Sequence, residues 1–447
     1  MQRNQTGQSD LPILEVSLRT GVRVRDFDAS NRKQVMSDKE KYKRARAGDI
    51  AYNMMRLWQG AVGVAPVEGL VSPAYVVAQA LTGTDPRFYE YLFRTDAYMN
   101  EVNKFSRGIV PDRNRLYWED FKQMPSPFPP RDEQAAIVHF LAHVDRRIRR
   151  YIRAKQKLIK LLEEQKQAII HRAITRGLDP SVRLKPSGVD WLGDVPEHWE
   201  VVRLKEVTTR LEQGWSPQCD AQPAGRGEWG VLKVGCVNRD TFDPNQNKKL
   251  PPALDPVSDL EVRDGDILVS RANTRELLGL AAVALKPREK LLLCDKLFRF
   301  RAQPNKSEAR FLVLAIRGRR SRAQIECSTN GASDSMQNIG QAVLRNLQLA
   351  LPPIDEQRRV VAFADAETTL LVATIDRACR EVELVREYRT RLIADAVTGR
   401  LDVREAAARL PAEPEEAEWL ADDDAPVEGE SEGSDEDLDP VSEEAEA

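Results

Sequence analysis

Polar side chains that suit base recognition follow a short apolar run in the second half of the chain. The letters GDI at 265–267 precede SRANTR at 270–275, where Arg271, Asn273 and Arg275 are the candidates. An arginine fork matches the guanine edge in the major groove, and an asparagine amide matches the adenine edge. The pattern therefore predicts a loop that reads DNA bases. For any one of these residues, the alternative is an ordinary polar β-turn.

The first half of the chain repeats this arrangement with different side chains. There, GDI at 48–50 precedes NMMRLWQ at 53–59, with Asn53, Arg56 and Gln59 as candidates. Two loops at the same position with different polar residues are what two readers of different DNA sequences would show.

A second polar loop is present in each half, at 106–114 and 328–338. The later loop is small and polar, and arginines precede it at positions that suit phosphate contacts. These arginines could equally be a solvated helix end. The candidates from this part of each half are Arg107, Arg113, Asn114, Arg319, Arg320, Asn330, Gln337 and Asn338.

Enzyme motifs are missing from the sequence. It contains no GxxxxGK[ST] phosphate loop and no Asn-Pro-Pro-aromatic or Asp-Pro-Pro-aromatic tetrapeptide, which disfavours ATP-driven translocation and base methylation by this chain alone. Asp112 with Asp120 and Lys122 forms only a short imitation of a metal-nuclease pattern. His139 and His143 lack further ligands for a metal. We therefore predict no catalytic residue, no metal and no cofactor.

The elements that must position these loops occur twice. PPRDEQ at 129–134 returns as PPIDEQ at 352–357, and TRGLD at 175–179 returns as TGRLD at 398–402. The distance from 129 to 352 equals the distance from 175 to 398, and we call it the repeat interval. A repeat of this length is not a solenoid of short units. It indicates one chain with internal two-fold character, which suits a bipartite target.

Each repeated segment reads as one long helix. Apolar residues recur at alternating steps of three and four, which is a heptad seam. Proline and acidic residues suit the helix start, and glycine suits its end. Packing the two helices antiparallel buries both seams; the alternative is two separate helices on globular domains. The first seam comprises Ile137, Leu141, Val144, Ile148, Tyr151, Leu158, Leu162 and Ile169, and the second comprises Val361, Ala364, Leu371, Ile375, Ala378, Val382, Val385 and Leu392.

Charge is distributed unevenly along the chain. Of 70 acidic residues, 17 lie from Pro411 onwards, where Lys and Arg are absent, so 53 remain against all 67 basic residues and residues 1–410 carry about +14. A basic body favours a polyanionic partner. The acidic tail has the composition of a disordered segment. Five scattered cysteines and the lack of an apolar run of about 20 residues favour a cytoplasmic protein without membrane association.

The predicted layout is α+β, with two mixed, strand-rich domains and two long helices. The boundaries are a first domain at 1–128, a helix at 129–178, a second domain at 179–351, a helix at 352–403 and an acidic tail at 404–447. The first domain has fewer residues ahead of its first strand than the second. It either lacks an opening strand, or the chain is shortened at its N-terminus.

The doubled PPxDEQ, the two helix ends and VPEHWE at 195–200 together resemble the DNA-specificity subunit of type I restriction-modification systems. The resemblance covers nearly all of residues 11–403. It implies that each domain is a target-recognition domain for half of a split double-stranded DNA sequence, and that the helices form an antiparallel coiled coil. It also implies docking of two methyltransferase subunits, addition of restriction subunits, and no active site in this chain.

The identical helix starts are candidates for partner docking, because the middles of the helices differ while their starts do not. The candidates are Asp132, Glu133, Gln134, Asp355, Glu356 and Gln357. Helix capping is the alternative cause for the acidic pairs. For the whole protein, the alternative is a non-enzymatic protein-interaction scaffold with a coiled-coil spacer.

Overall fold

The computed structural model describes residues 1–6, 10–18, 20–25, 41–108, 114–328 and 337–411. Two units divide the chain. The first consists of Met1–Leu158 together with Ala378–Ala447, and the second is Ile159–Arg377. Each unit therefore takes one part of each long helix.

The first unit has antiparallel strands around a central strand. β4 pairs with both β5 and β7, β1 pairs with β2, and β3 pairs with β6. Every residue of β4 is buried, because helices cover one face of its sheet and other strands cover the opposite face. The strands are β1 Leu14–Ser17, β2 Gly21–Val24, β3 Lys43–Ala45, β4 Ile50–Asn53, β5 Val62–Val64, β6 Gly69–Val71 and β7 Tyr75–Ala78.

Short helices follow the strands of the first unit and have clear start signals. Asp85 caps the first of them through the amide of Arg87, and Thr95 caps the second through the amide of Tyr98. Their aromatic and aliphatic residues form one core with Ile137, Leu141 and the end of the second long helix. The helices are α1 Pro86–Phe93, α2 Asp96–Phe105, α3 Trp118–Phe121 and the long α4 Arg131–Arg176.

The second unit is built around a four-stranded antiparallel sheet in the order β11-β18-β14-β16, beside a three-stranded sheet in the order β13-β12-β17. Its remaining strands form the pairs β8–β9, β10–β20 and β15–β19. The strands are β8 Leu184–Pro186, β9 Asp194–Pro196, β10 Glu200–Arg203, β11 Glu212–Gln213, β12 Gly230–Leu232, β13 Asn247–Lys249, β14 Ile267–Ser270, β15 Ala272–Asn273, β16 Ala281–Val283, β17 Leu291–Leu292, β18 Leu297–Phe300, β19 Gln337–Asn338 and β20 Gln348–Leu351.

The helices of the second unit pack on the four-stranded sheet. Phe311, Leu312 and Ile316 are fully buried there, in one core with Phe298 and Phe300. The helices are α5 Leu204–Val207, α6 Ala309–Arg317, α7 Arg319–Cys327, α8 Gln341–Arg345 and the long α9 Ile354–Val397; α10 Arg404–Ala408 belongs to the first unit.

In the first unit, the two long helices are antiparallel and in contact. Ile148 and Ile152 of α4 pack on Val382 of α9. Lys155 lies 2.7 Å from the carboxylate of Glu381. Further towards the start of α4, Asp145 pairs with Arg389, which lies further towards the end of α9.

In the second unit, the other parts of these helices share one hydrophobic core. It contains Ile170, Ala173 and Ile174 of α4 with Val360 and Ala364 of α9. The predicted packing of the long helices is confirmed, and the predicted α+β class with two globular units is confirmed with it.

The buried stripe of α4 differs from the predicted heptad seam in its middle. Tyr151 and Leu158 are 42% and 40% exposed, whereas Ile152 and Lys166 are buried. A helix turns once every 3.6 residues and a heptad seam repeats every 3.5, so the contact stripe moves by one position over several turns. The stripe of α9 stays closer to its predicted positions, with Thr368 buried among them, but at its start Val360 is buried in place of Val361.

Candidate nucleic-acid interface

In the second unit, the structure brings the two candidate loops together. Asn273 lies opposite Gln337, and Ala272 lies opposite Asn338, in a short antiparallel ladder. The amide of Ile339 then donates to the carbonyl of Arg271 at 3.0 Å. Segments that are distant in the sequence thus form one polar edge.

The first unit joins its two loops by the same bond. The amide of Leu116 donates to the carbonyl of Met54 at 2.9 Å. Leu116 and Ile339 are separated by the repeat interval, and Met54 and Arg271 each lie four residues after the isoleucine of GDI, so the contact belongs to the repeat. Arg113 and Asn330 were predicted readers on these loops, and both lie outside the described residues.

The residue that ends the central strand in each unit shapes the first candidate loop, 270–275 or 53–59. The Ser270 hydroxyl donates to the carbonyl of Leu277 and accepts from the amide of Leu280. The side-chain oxygen of Asn53 accepts from the main-chain amide of Met55 at 2.9 Å. Asn53 was predicted to read bases, but it is 6% exposed and acts as a turn cap in this structure. Local sequence could not separate these roles, because both use a polar residue at a strand end.

The side chains that face solvent differ between the units. Arg275 and Asn338 are exposed in the second unit, and Gln59 and Arg107 are exposed in the first. Arg107 is also paired with Asp120 at 2.5 Å. Arg56 and Asn114 are half-buried.

The central candidates of the second unit are half-buried and partly hydrogen-bonded. Arg271 donates to the carbonyl of Asp295 at 3.3 Å. The Asn273 amide nitrogen donates to the side-chain oxygen of Asn238 at 3.4 Å. The Gln337 amide oxygen is enclosed without a protein partner. Internal hydrogen bonds therefore orient part of this edge before any ligand binds.

Two of the arginines near the second loop hold the protein together. Arg322 donates to the carbonyls of Leu278, Arg275 and Glu276, and so supports the end of the 270–275 loop. Arg317 donates to the carbonyls of four other residues. Burial lowers the pKa of both guanidinium groups. Neither side chain is free for phosphate.

Arg319 and Arg320 begin α7 and lie near the end of α4. Arg319 is exposed. One guanidinium nitrogen of Arg320 donates a hydrogen bond to the main-chain carbonyl of Asp194, and a second is enclosed without a hydrogen-bond partner. His171 is their neighbour: burial lowers its pKa, and Arg320, Arg319 and Arg176 lower it further. The cluster is a concentration of positive charge suited to phosphate.

The repeated glutamines of the helix starts have the same internal role in both units. Gln134 accepts from the amide of Asp85, the residue that caps α1, and donates to the carbonyls of Gly83 and Pro129. Gln357 makes the same three bonds, accepting from Glu308 and donating to Lys306 and Pro352. Both are 0% exposed. These glutamines were predicted to dock partners, but a fully buried side chain presents no atoms to one.

The acidic residues of the helix starts separate into two kinds. Glu356 accepts from the indole of buried Trp199 at 3.2 Å and lies 2.7 Å from a ring nitrogen of His198. VPEHWE at 195–200 therefore meets the second PPxDEQ within one unit. Asp132 and Asp355 are exposed, and Glu133 is half-buried.

Within the described residues, no group of three or more His, Cys, Asp and Glu side chains could hold a metal ion. Of the helices in that same part of the chain, none is both long and apolar enough to cross a membrane.

Comparison with known proteins gives a consistent result. The Escherichia coli type I restriction enzyme EcoEI specificity subunit is 32% identical over 208 residues, which is 46% of this chain and 34% of that protein. The MjaVIII specificity subunit of Methanocaldococcus jannaschii is 25% identical over 64% of each chain. No family model matches.

Over these matched segments, the chain is similar in sequence to type I restriction specificity subunits. The matched segments span from about a third to just under two thirds of the curated relatives' own lengths. A solved structure concerned with assembly and conformational transition of a type I restriction-modification system has a chain with the same fold. Its TM-score is 0.58 at 18% identity, over 90% of this chain and 95% of that one.

Sequence reasoning missed Asn238, Asp240 and Lys166, which shape this edge. Arg317 was among the arginines predicted to suit phosphate contacts, and the structure gives it an internal role instead. One signal was available for Arg317, because Arg94 stands one repeat interval earlier. The others contact residues far away in the sequence, and no local pattern marks them.

Proposed function

We propose that this chain is the DNA-specificity subunit of a type I restriction-modification complex. The first unit reads one half of a bipartite double-stranded target and the second unit reads the other. The observation that carries the proposal is the paired loops: both units join two polar loops by the same main-chain bond and present different side chains there.

Side-chain chemistry and charge support DNA as the ligand. The exposed groups at these edges are arginine, asparagine and glutamine, whose donors and acceptors match base edges. A body of about +14 favours a phosphate backbone. We assign base reading to Arg271, Asn273, Arg275, Gln337 and Asn338 in the second unit, and to Arg56, Gln59, Arg107 and Asn114 in the first. Arg319 and Arg320 contact phosphate.

The catalytic work belongs to other subunits in this proposal. Two methyltransferase subunits dock on the long helices, using the exposed acids Asp132 and Asp355, and restriction subunits complete the nuclease. The domain limits at 1–128 and 179–351 are those of the two recognition domains, with helices 129–178 and 352–403 as spacers. A cytoplasmic location follows from the DNA partner.

The second candidate is a protein-interaction scaffold. The long helix pair would also suit that role, and the half-buried polar edge would then face a protein. Charge distinguishes the two functions, because a basic body strengthens binding to a polyanion such as the DNA phosphate backbone.

Selection from a randomised duplex library tests the proposal. The full chain, together with the methyltransferase subunit when assembly requires it, should enrich a motif of two short half-sites at a fixed spacing. Binding should weaken steeply as salt rises, because phosphate contacts release counterions. Enrichment of no motif, with binding to protein ligands only, would favour the scaffold.

Arg271→Ala and Asn273→Ala sharpen the test. Each should relax one half-site alone, by roughly 1–3 kcal/mol for a lost bidentate contact. Arg319→Ala should instead weaken all sequences alike and flatten the salt dependence. Equal loss over all sequence variants for Arg271→Ala would make its loop a backbone clamp.

A further inference from the structure

In each unit we call the edge formed by the two candidate loops the reading edge. A repeated arginine donates to main-chain carbonyls of the strand connections next to it. Arg317, at the end of α6, donates to the carbonyl of Ala281 at 3.0 Å and to the carbonyl of Val237 at 3.1 Å. Arg94 follows α1 and donates to the carbonyls of Val62 and Leu18. Ala281 and Val62 both begin the strand that returns from the reading loop. The arginine is thus part of the repeated scaffold.

In the second unit, this arginine belongs to a chain of ion pairs that reaches the long helix. Asp240 lies 3.1 Å from Arg317 and 2.8 Å from the ammonium of Lys166 on α4. Lys166 is 7% exposed, which is rare for a lysine without a partner, and Glu163 lies 2.9 Å away on its other side.

The charges of this group stabilise one another despite their burial. Burial raises the pKa of the Asp240 carboxyl, but Arg317 and Lys166 outweigh it, and the pKa lies below its usual value. Burial lowers the pKa of Lys166, but Asp240 and Glu163 outweigh that effect and raise it. Removal of one partner would leave a buried charge without compensation.

The same group reaches the other long helix and the reading edge. Arg310 donates to the main-chain carbonyl of Asp240 at 2.8 Å and lies 3.5 Å from Asp365 on α9. Asn238 lies two residues before Asp240, and its side-chain oxygen accepts from the side-chain amide nitrogen of Asn273 on the reading edge. Arg317 donates to the main-chain carbonyl of Asn238 as well.

We propose that Asp240 is a positioning residue for DNA specificity, which fixes the reading edge of the second unit to the long helices through Lys166 and Arg317. Its carboxylate fixes the position of residues 237–240 relative to α4. The hydrogen bond between Asn238 and Asn273 then fixes the reading edge relative to that segment. The inference rests on the proposed function and goes beyond it, since no atom of Lys166 or Asp240 needs to contact DNA.

The first unit offers a matched control at the repeat interval. Arg389 is the counterpart of Lys166 at that interval, and it pairs with Asp145, next to Arg149. Its partner is on the other long helix and not on a loop beside the reading edge. Arg389→Met therefore removes the equivalent helix cation without touching the second unit's edge.

The experiment compares sequence selection by the unaltered chain with selection by Asp240→Asn, Lys166→Met, Lys166→Arg and Arg389→Met. Dissociation constants are measured for the best target and all its single-base variants. We expect Asp240→Asn and Lys166→Met to lose about tenfold in discrimination at the same single half-site. Binding to unrelated DNA at low salt should stay within twofold, and Lys166→Arg should restore discrimination.

Three outcomes would overturn the inference: unchanged discrimination, loss at both half-sites, or the same half-site loss in Arg389→Met. A purely structural role would lower the melting temperature and total binding without changing the ratio between target and variants. If the unaltered chain itself selects no bipartite motif, the proposed function fails first, and the two failures are distinguishable.

Discussion

At the scale of single residues, burial separates side chains that are available to a ligand from side chains that support the fold. Asn53 and Gln357 are polar residues in motifs that suggested a ligand or partner. The side-chain oxygen of each instead accepts a hydrogen bond from a main-chain amide. Arg275 and Gln59 stand at similar places and remain exposed. A buried amide is costly unless it is hydrogen-bonded, so such a residue needs partners fixed by the fold.

The glutamine of PPxDEQ should be one of the most sensitive stability positions in each unit. Gln357→Ala removes three hydrogen bonds, leaves the Glu308 amide unpaired and opens a cavity, so we expect a loss of about 2–4 kcal/mol. Gln134→Ala should cost a similar amount in the first unit. Urea unfolding is the measurement, with exposed Arg358→Ala as the control. A loss below about 0.5 kcal/mol would contradict this assignment.

His171 should make stability depend on pH near neutrality. Its pKa is lowered in the folded protein, so the unfolded chain binds the proton more readily, and the free energy of unfolding falls as pH drops below about 6.5. Relative to the unaltered chain, His171→Asn should therefore gain stability between pH 7.5 and about 5.5. Urea midpoints of both proteins at these pH values test the sign. A difference in stability between the two proteins that does not change with pH would contradict a lowered pKa of His171 in the folded chain.

At the scale of elements, the long helices bury polar groups along an otherwise apolar seam. Asp145, Lys166 and Thr368 occupy contact positions, and each has a specific partner. Such groups contribute less to stability than apolar packing, but they restrict which neighbours a helix can accept. The start of α9 also has a specific polar partner, because the Glu356 carboxylate accepts a hydrogen bond from the Trp199 indole within the second unit.

Capping and docking can be separated at the helix starts. Glu356→Ala leaves the buried indole N–H of Trp199 without its acceptor, so we expect about 1–3 kcal/mol of destabilisation and normal partner assembly at low temperature. Asp132→Ala with Asp355→Ala should leave stability nearly unchanged and weaken assembly with a methyltransferase subunit. Melting curves and size-exclusion profiles measure the two effects. The reverse pattern would assign docking to Glu356.

At the scale of the whole molecule, charge is divided between a basic body and an acidic C-terminal segment. The segment from Pro411 carries 17 acidic residues and the preceding chain about +14. Acidic residues tethered to a DNA-binding protein compete with phosphate for its cations, and salt screens that competition.

Removal of residues 412–447 should therefore strengthen binding to any duplex at low salt. We expect a gain on the order of threefold or more near 50 mM salt, declining as ionic strength rises. Discrimination between target and single-base variants should not change, because the deletion touches no reading residue. Weaker binding after the deletion would show that the segment supports the complex. A tail of equal length with its acids changed to Ser and Gln controls for excluded volume.

The sequence by itself determined the repeat, both long helices and their ends, and the positions of the candidate loops. These follow from local rules: heptad-like periodicity, helix caps, and GDI leading into a polar loop. The repeat interval also predicted which positions of the long helices correspond, as it does for Gln134 and Gln357. The sequence predicted less well which face of α4 is buried, since a shift of one residue accumulates over several turns.

Only the tertiary structure decided the role of each polar residue. Gln134 and Gln357 find their partners in segments well before them in the chain, and Arg317 finds its acceptors near 237–240. Asn273 meets Gln337 across a ladder that no local pattern encodes. A polar side chain reads a ligand or supports the fold according to which distant groups surround it, and that is settled when the chain folds.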